Sequence, residues 1–287
     1  MQHLTQRVKD KARSIGIDLV GITPIERLSG APPGYRAEDY LPDVRNVIVL
    51  GLHIPDMSVE TFDKSPSSYQ LYGYALLNKE LGRGAYYVTK LLEKEGHRTL
   101  PMVSAVYIKD NDLSTYFGEF SHRHAAVAAG LGTFGLSGLV ITPEFGTRQR
   151  FTSIFTTAPL EPDEMLDEEL CDHCETCINS CPMNALRLDK TRKCTLAGKD
   201  FEYAFVDKHG CFINIIGLGP ESGGQFNFRP KKKGKSYSLF DIWWYRTRAQ
   251  LTKPVVWQMQ EESQSNFDWV DYCGKCLRVC KAPKTSQ

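Results

Sequence analysis

The sequence predicts an α/β fold, with α+β character, followed by a smaller cysteine-bearing unit. Three observations predict it. Helical and strand-like periodicities alternate as far as residue 160, an acidic stretch EPDEMLDEEL (161–170) interrupts them, and all nine cysteines lie beyond that stretch. On a scale of about 100–200 residues per domain, 287 residues make two. The expected boundaries are 1–165 and 166–287, the second unit carrying a long insertion at 195–270.

A helix is expected at 3–15, where Leu4, Val8 and Ala12 recur one turn apart, then strands at 17–23 (IDLVGIT) and 46–52 (NVIVLGL). Residues 68–96 offer a helical apolar face of Leu76, Leu77, Leu81, Tyr87, Leu91 and Leu92, with breaks expected at Gly82 and Gly84. PMVSAVYI (101–108) reads as a strand. SHRHAAVAAG, from 121, reads as a short helix ending at a glycine. SGLVITP (137–143) and RFTSIFTTAPL (150–160) supply two more strands, and the alternation is that of an α/β protein. Beyond the acidic linker the chain reads as turn-rich, with a long irregular loop at 217–238 and a helix with aromatic anchors, FDIWWYRTRAQL, at 240–251.

Lys and Arg number 35 against 34 Asp and Glu, a formal charge of +1, so no overall field recruits nucleic acid or an anionic membrane. The apolar runs fall short of the roughly 20 residues a membrane helix needs. The first 23 residues lack the apolar core of a signal peptide and a twin-arginine pair. The expected compartment is the cytoplasm, where thiols stay reduced and nine cysteines point to metal rather than disulfides.

Cys171, Cys174, Cys177 and Cys181, followed by Pro182, form a CxxCxxCxxxCP run. This is the spacing of bacterial ferredoxins, in which the first three thiolates hold one [4Fe–4S] cube and the fourth reaches a second. Cys273, Cys276 and Cys280 repeat CxxCxxxC without the proline. By the same cross-over, Cys280 completes the first cube, and the second takes Cys181, Cys273, Cys276 and one more thiolate. Cys194 and Cys211 are the candidates. Cys194 is preferred because it lies closer in sequence to Cys181, which leaves Cys211 a spare thiol. Tetrahedral zinc also uses CxxC pairs, but three close cysteines and a fourth before proline follow the ferredoxin pattern. Two such clusters pass single electrons.

The first unit should hold the acceptor. AGLGTFG (129–135) contains a literal GxGxxG at Gly130, Gly132 and Gly135. A dinucleotide fingerprint follows a strand and opens a helix, whereas this one ends a helix. Its glycines, with Gly138, read as backbone that turns tightly or approaches a cofactor closely. His122 and His124 stand two apart, so they point to different faces and cannot chelate one metal together. One is expected to face a cofactor pocket. Arg148 and Arg150 share one face of a strand, there to bind an anionic group or to face solvent. RPKKKGK (229–235) reads as a solvated loop, or a docking patch for an acidic electron donor.

The stretch HAAVAAGLGTFGLSGLVITPEFGTRQRFTSIFTTAPLEPD, followed by CDHCETCINSCPMNAL, resembles the corrinoid-dependent reductases, namely the epoxyqueuosine reductases and the reductive dehalogenases. The likeness is clear over 120–185 and poor over 195–270. It implies a nitroreductase-like domain that binds cobalamin base-off beside two [4Fe–4S] clusters, which reduce its cobalt. It also implies a small organic substrate and a ferredoxin or flavodoxin-type electron donor; a tRNA partner enters only with an epoxyqueuosine reductase-like activity. Fourteen residues before Gly130, where the epoxyqueuosine reductases carry an aspartate proton donor, stands Tyr116. The dehalogenases use a tyrosine, so the resemblance makes Tyr116 a proton donor assisted by a cation such as Arg150, and the alternative is a packed aromatic. Other readings of the whole chain are a non-catalytic ferredoxin-type carrier, or reductive activator, for a partner protein, and a flavin in the same pocket.

Overall fold

NVIVLGL is apolar without alternation because both faces of its strand are buried. In a computed structural model, which describes residues 2–104, 117–215, 247 and 273–282, this segment is β2 (Asn46–His53). It lies between β1 (Leu19–Pro24) and β6 (Gln149–Thr156), with β3 (Thr99–Pro101) beyond β6, in the order β1-β2-β6-β3. Every pairing in this sheet is antiparallel, with Ile22 opposite Ile48 and Ile48 opposite Ile154. An alternating α/β sequence pattern usually builds a parallel sheet; here the mixed α/β chain builds an antiparallel one covered on both sides.

Side chains alternate across the pleat. Ile22, Ile48, Leu50 and Ile154 face a core closed by α1 (Gln2–Ser14) and α4 (Leu76–Lys94) through Val8, Ala12, Leu81, Ala85, Val88 and Leu92. Val47, Val49, Phe151 and Phe155 face a second core closed by α5 (His122–Ala128). The expected breaks in the long helix do not occur: α2 (Asp56–Glu60) is followed by α3 (Pro66–Gln70), one π-turn (Leu71–Ala75) and an unbroken α4. A Cβ on Gly84 would lie 2.7 Å from Ile17 Cδ1, so this glycine lets α4 approach the sheet.

Of the expected 101–108 strand only Pro101 belongs to β3, 102–104 are not strand, and 105–108 lie outside the described residues, as do the 217–238 loop and, apart from residue 247, the 240–251 helix. β4 (Thr133–Phe134) and β5 (Val140–Ile141) form a small hairpin. The acidic stretch is tied to the first half: Asp163 accepts from Ile22 N–H (2.8 Å) and pairs with Lys9, and Arg27 donates to its carbonyl (2.6 Å).

The second half is less turn-rich than its composition suggests. β7 (Leu186–Leu196) and β8 (Lys199–Val206) form a hairpin through Ala197 and Gly198, both at positive φ (51° and 78°), as a tight two-residue turn requires. Leu196, Phe201 and Tyr203 join the α5 core, and Leu277 of α8 (Lys275–Arg278) enters a third core with Ile54, Phe62 and Tyr69. Hydrophobic packing therefore crosses the 165/166 boundary twice.

Candidate metal centre and the residues around it

Two four-residue helices, α6 (Thr176–Asn179) and α8, pack against each other and are built alike. Each is entered through a left-handed residue, Glu175 (φ 54°) or Gly274 (φ 64°), with one cysteine before it and the next in the helix. Cys174 and Cys177 are thus matched by Cys273 and Cys276. A non-glycine residue held left-handed costs about 1–2 kcal/mol, and His173 (φ 55°) and Glu175 both carry that cost in the loop that wraps the thiols. Gly274 is needed for space as well: a Cβ there would lie 2.5 Å from the Tyr69 hydroxyl.

Cys171, Cys174, Cys177 and Cys280 line one cleft with Gly135, Leu136, Ser137 and Thr147. Cys280, over a hundred positions away in sequence, is brought to the first three. Cys181, Cys273 and Cys276 form the neighbouring group, in which Cys276 feels the other two thiols. The thiols surround a space; among the described residues no three His, Cys, Asp or Glu side chains gather tightly enough to hold a single ion. Donors point at the sulfurs: Leu136 N–H at Cys171 (3.3 Å), Thr176 Oγ1–H at Cys174 (3.3 Å), Ala185 N–H at Cys181 (3.2 Å) and Asn214 Nδ2–H at Cys273 (3.0 Å). Burial, then the neighbouring thiols Cys273 and Cys181, pushes Cys276 up to about 12, and burial raises Cys177 and Cys280. Half-buried thiols crowded in this way hold their protons until a metal centre displaces them, since a coordinating thiol is deprotonated outright. The donor set therefore fits iron–sulfur clusters, whose potential such hydrogen bonds tune.

Cys194 is not brought to either group. It sits in β7 opposite Phe201 against the α5 core, and burial and then Asp200 push its thiol up to about 11. Sequence proximity to Cys181 misleads because the β7–β8 hairpin carries the chain away and returns it. Cys211 lies in α7 (Lys208–Ile215), three residues before Asn214, so the two share a helix face, and Asn214 touches Cys273. That spacing was the available signal. Asn214 is 2 % exposed, and its Oδ1 has no hydrogen-bond partner among the described residues.

The residues nominated for a corrinoid are engaged internally. A Cβ on Gly130 (φ 73°) would lie 1.9 Å from the Glu164 carbonyl oxygen, one on Gly132 2.2 Å from that of Ile141, and one on Gly138 (φ 72°) 3.0 Å from the Tyr203 ring. Gly135 packs on Ile141 and lines the thiol cleft, while Gly130, Gly132 and Gly138 each let another segment of the protein approach closely. Arg148 is buried in ion pairs with Asp56 and Glu60 (2.9 Å to Glu60), and Arg150 donates to Asn78 Oδ1 (2.9 Å) and stacks on Tyr74. The two arginines do share a face, but it lies under α2–α4 instead of in solvent.

His122 is held at both nitrogens, by Ser153 Oγ (2.9 Å) and the Val103 carbonyl (2.9 Å). His124 lies against Tyr203 Oη (3.2 Å) and Ser121 Oγ (2.5 Å). The two rings thus point apart, as their spacing predicts. Burial pushes both down to about 4, assisted by Arg150 and Arg123 at His122 and by Arg123 and Lys208 at His124. Both imidazoles are neutral at pH 7. Below the ordinary value of about 6.5 the unfolded chain binds protons that the fold refuses, so their contribution to stability is lost as pH falls from 6.5 to 4. In a histidine ¹⁵N NMR titration two imidazoles should stay neutral through pH 5.5; midpoints near 6.5 for both would contradict this burial. Tyr116 lies outside the described residues, as does 229–235.

A family model for a 4Fe-4S binding domain matches residues 165–187. The tetrachloroethene reductive dehalogenase of Sulfurospirillum multivorans is 26 % identical over 299 aligned positions, covering 90 % of this chain and 56 % of that protein. The epoxyqueuosine reductase of Staphylococcus aureus is 26 % identical over 211 positions, covering 64 % and 53 %. The chain is similar to both groups of reductases. It spans about half the length of the relatives it matches. Among solved structures, a catabolic reductive dehalogenase superposes with a TM-score of 0.54 at 18 % identity, covering 72 % of this chain and 28 % of that one. An epoxyqueuosine reductase bound to a tRNA-Tyr stem loop gives 0.51 at 17 %, covering 84 % and 68 %. These likenesses place the fold. Among the described residues no helix is long and apolar enough to cross a membrane.

Proposed function

We propose that the chain is an iron–sulfur reductase whose two [4Fe–4S] clusters carry electrons to a corrinoid that reduces a small organic substrate. Cluster one is held by Cys171, Cys174, Cys177 and Cys280, and cluster two by Cys181, Cys273, Cys276 and Cys211 in place of Cys194. The observation that carries the reading is the cleft in which Cys280 joins the first three cysteines of the ferredoxin run, since that cross-over is what a two-cluster ferredoxin needs. The contact of α6 with α8 keeps the two thiol groups adjacent, and the N–H and O–H donors on the sulfurs stabilise the anionic ligands. The electron donor is read as a ferredoxin or flavodoxin-type protein.

The corrinoid rests on the relatives. The histidines, glycines and arginines expected to contact it each have protein partners, so the reading assigns it no residue contacts. The same observation favours a second reading, a ferredoxin-type carrier that delivers electrons to a partner protein. Anaerobically reconstituted protein should hold about eight iron and eight sulfide per chain, and zinc without sulfide would overturn the cluster assignment. Stoichiometric uptake of hydroxocobalamin with a base-off visible spectrum supports the reductase, whereas intact clusters with no uptake leave the carrier.

A further inference from the structure

Asn214 is a buried amide satisfied at one end only. It is 2 % exposed near the C-terminal end of α7, whose first turn is held by Asp207: the carboxylate accepts from Gly210 N–H (3.0 Å) and the carbonyl from Cys211 N–H (2.9 Å). Asn214 Nδ2–H donates to Cys273 Sγ at 3.0 Å, while Oδ1, also buried, has no hydrogen-bond partner among the described residues. A buried acceptor left unpaired costs about 1–3 kcal/mol, and a neutral thiol sulfur is a weak acceptor that returns little of it. Leucine has nearly the same shape without that cost.

The amide gains when the sulfur is charged. A thiolate bound to iron has no proton to give, so only the N–H end of the amide is attracted to it, and a bond to a charged acceptor is roughly twice as strong as a neutral one. Burial strengthens it further, because the surrounding dielectric is low. One-electron reduction adds negative charge to a [4Fe–4S] cube and its sulfurs. An N–H aimed at a sulfur therefore stabilises the reduced cube more than the oxidised one. The other donors described above differ in kind: Leu136 and Ala185 offer backbone N–H groups, and Thr176 a hydroxyl at the exposed Cys174.

We propose that Asn214 raises the reduction potential of the cluster bound by Cys273, through its Nδ2–H···Sγ bond to that ligand. It is a positioning residue, since it touches a ligand of the cluster and not the reacting atoms. One electron enters the cube from a one-electron donor of the ferredoxin or flavodoxin type and later leaves to the acceptor; no bond is made or broken and no proton moves. The inference rests on the two-cluster reading, and neither on the choice of Cys211 as a ligand nor on a corrinoid.

The test is a potentiometric titration of the anaerobically reconstituted full chain, followed by electron paramagnetic resonance, with iron and sulfide counted in the same samples. Asn214→Leu and Asn214→Ala are each expected to lower one midpoint by about 59 mV, a tenfold fall in the one-electron reduction constant, with about eight iron retained per chain. Thr176→Val, which takes the hydroxyl from Cys174, should leave that midpoint where it is. Unmoved midpoints in both Asn214 variants would overturn the proposal. So would a fall to about four iron in both, the content of one cube, which would make the residue structural, or a shift of the same midpoint in Thr176→Val. Zinc without sulfide in the unaltered chain would overturn the cluster reading and this inference together, whereas unmoved midpoints at full iron content overturn this inference alone.

Discussion

Cys211→Ser is expected to lower the iron content of anaerobically prepared protein from about eight to about four atoms per chain, the content of one cube, while Cys194→Ser leaves it unchanged. The reason is placement. Cys211 shares a helix face with Asn214, whose amide reaches the Cys273 sulfur at 3.0 Å, so α7 delivers its thiol side to the second group. Cys194 is fixed by strand pairing with Phe201 and by the α5 core, and no rotamer carries its sulfur across a packed sheet. The visible charge-transfer absorbance should fall with the iron, and the remaining cube should still be reducible because Cys171, Cys174, Cys177 and Cys280 are untouched. Loss of iron in Cys194→Ser with full iron in Cys211→Ser would reverse the ligand assignment.

Gly130→Ala is expected to destabilise the fold by about 3 kcal/mol or more, the sum of a left-handed alanine and a backbone clash. The added carbon would lie 1.9 Å from the Glu164 carbonyl oxygen, and neither partner is a side chain that can turn aside. Gly130 donates to Val127 O (3.0 Å) as α5 ends, so a shift of this turn also disturbs the helix that carries Arg123 and the histidines. Gly82→Ala is the control. It lies inside α4 with nothing within 4 Å of the added carbon, and should stabilise by about 0.5–1 kcal/mol. Urea denaturation of the two variants measures both. Equal stability of Gly130→Ala and the unaltered chain would mean that the turn is not packed as described.

Much was legible in the sequence because local signals coincide with the structure. Val8 and Ala12 at helical spacing, NVIVLGL as a strand buried on both faces, and the two-residue gaps between cysteines each report a short-range geometry. The β7–β8 hairpin was missed because LRLDKTRKCTL is polar along most of its length, its outward residues being exposed, although the Ala197–Gly198 turn between two β-prone runs marks it in retrospect. The arginine pair was read correctly as sharing a face and wrongly as available, because Asp56, Glu60, Asn78 and Tyr74 approach from helices the strand pattern does not mention.

The sequence by itself determined which atoms can bind metal, since thiolate spacing is a property of a few consecutive residues. Only the tertiary structure decided which distant thiol joins which group, and which charged or glycine residues are already committed to protein. Those outcomes depend on the approach of segments far apart in the chain, such as Cys280 to Cys171 and Gly130 to Glu164, and no local periodicity encodes them.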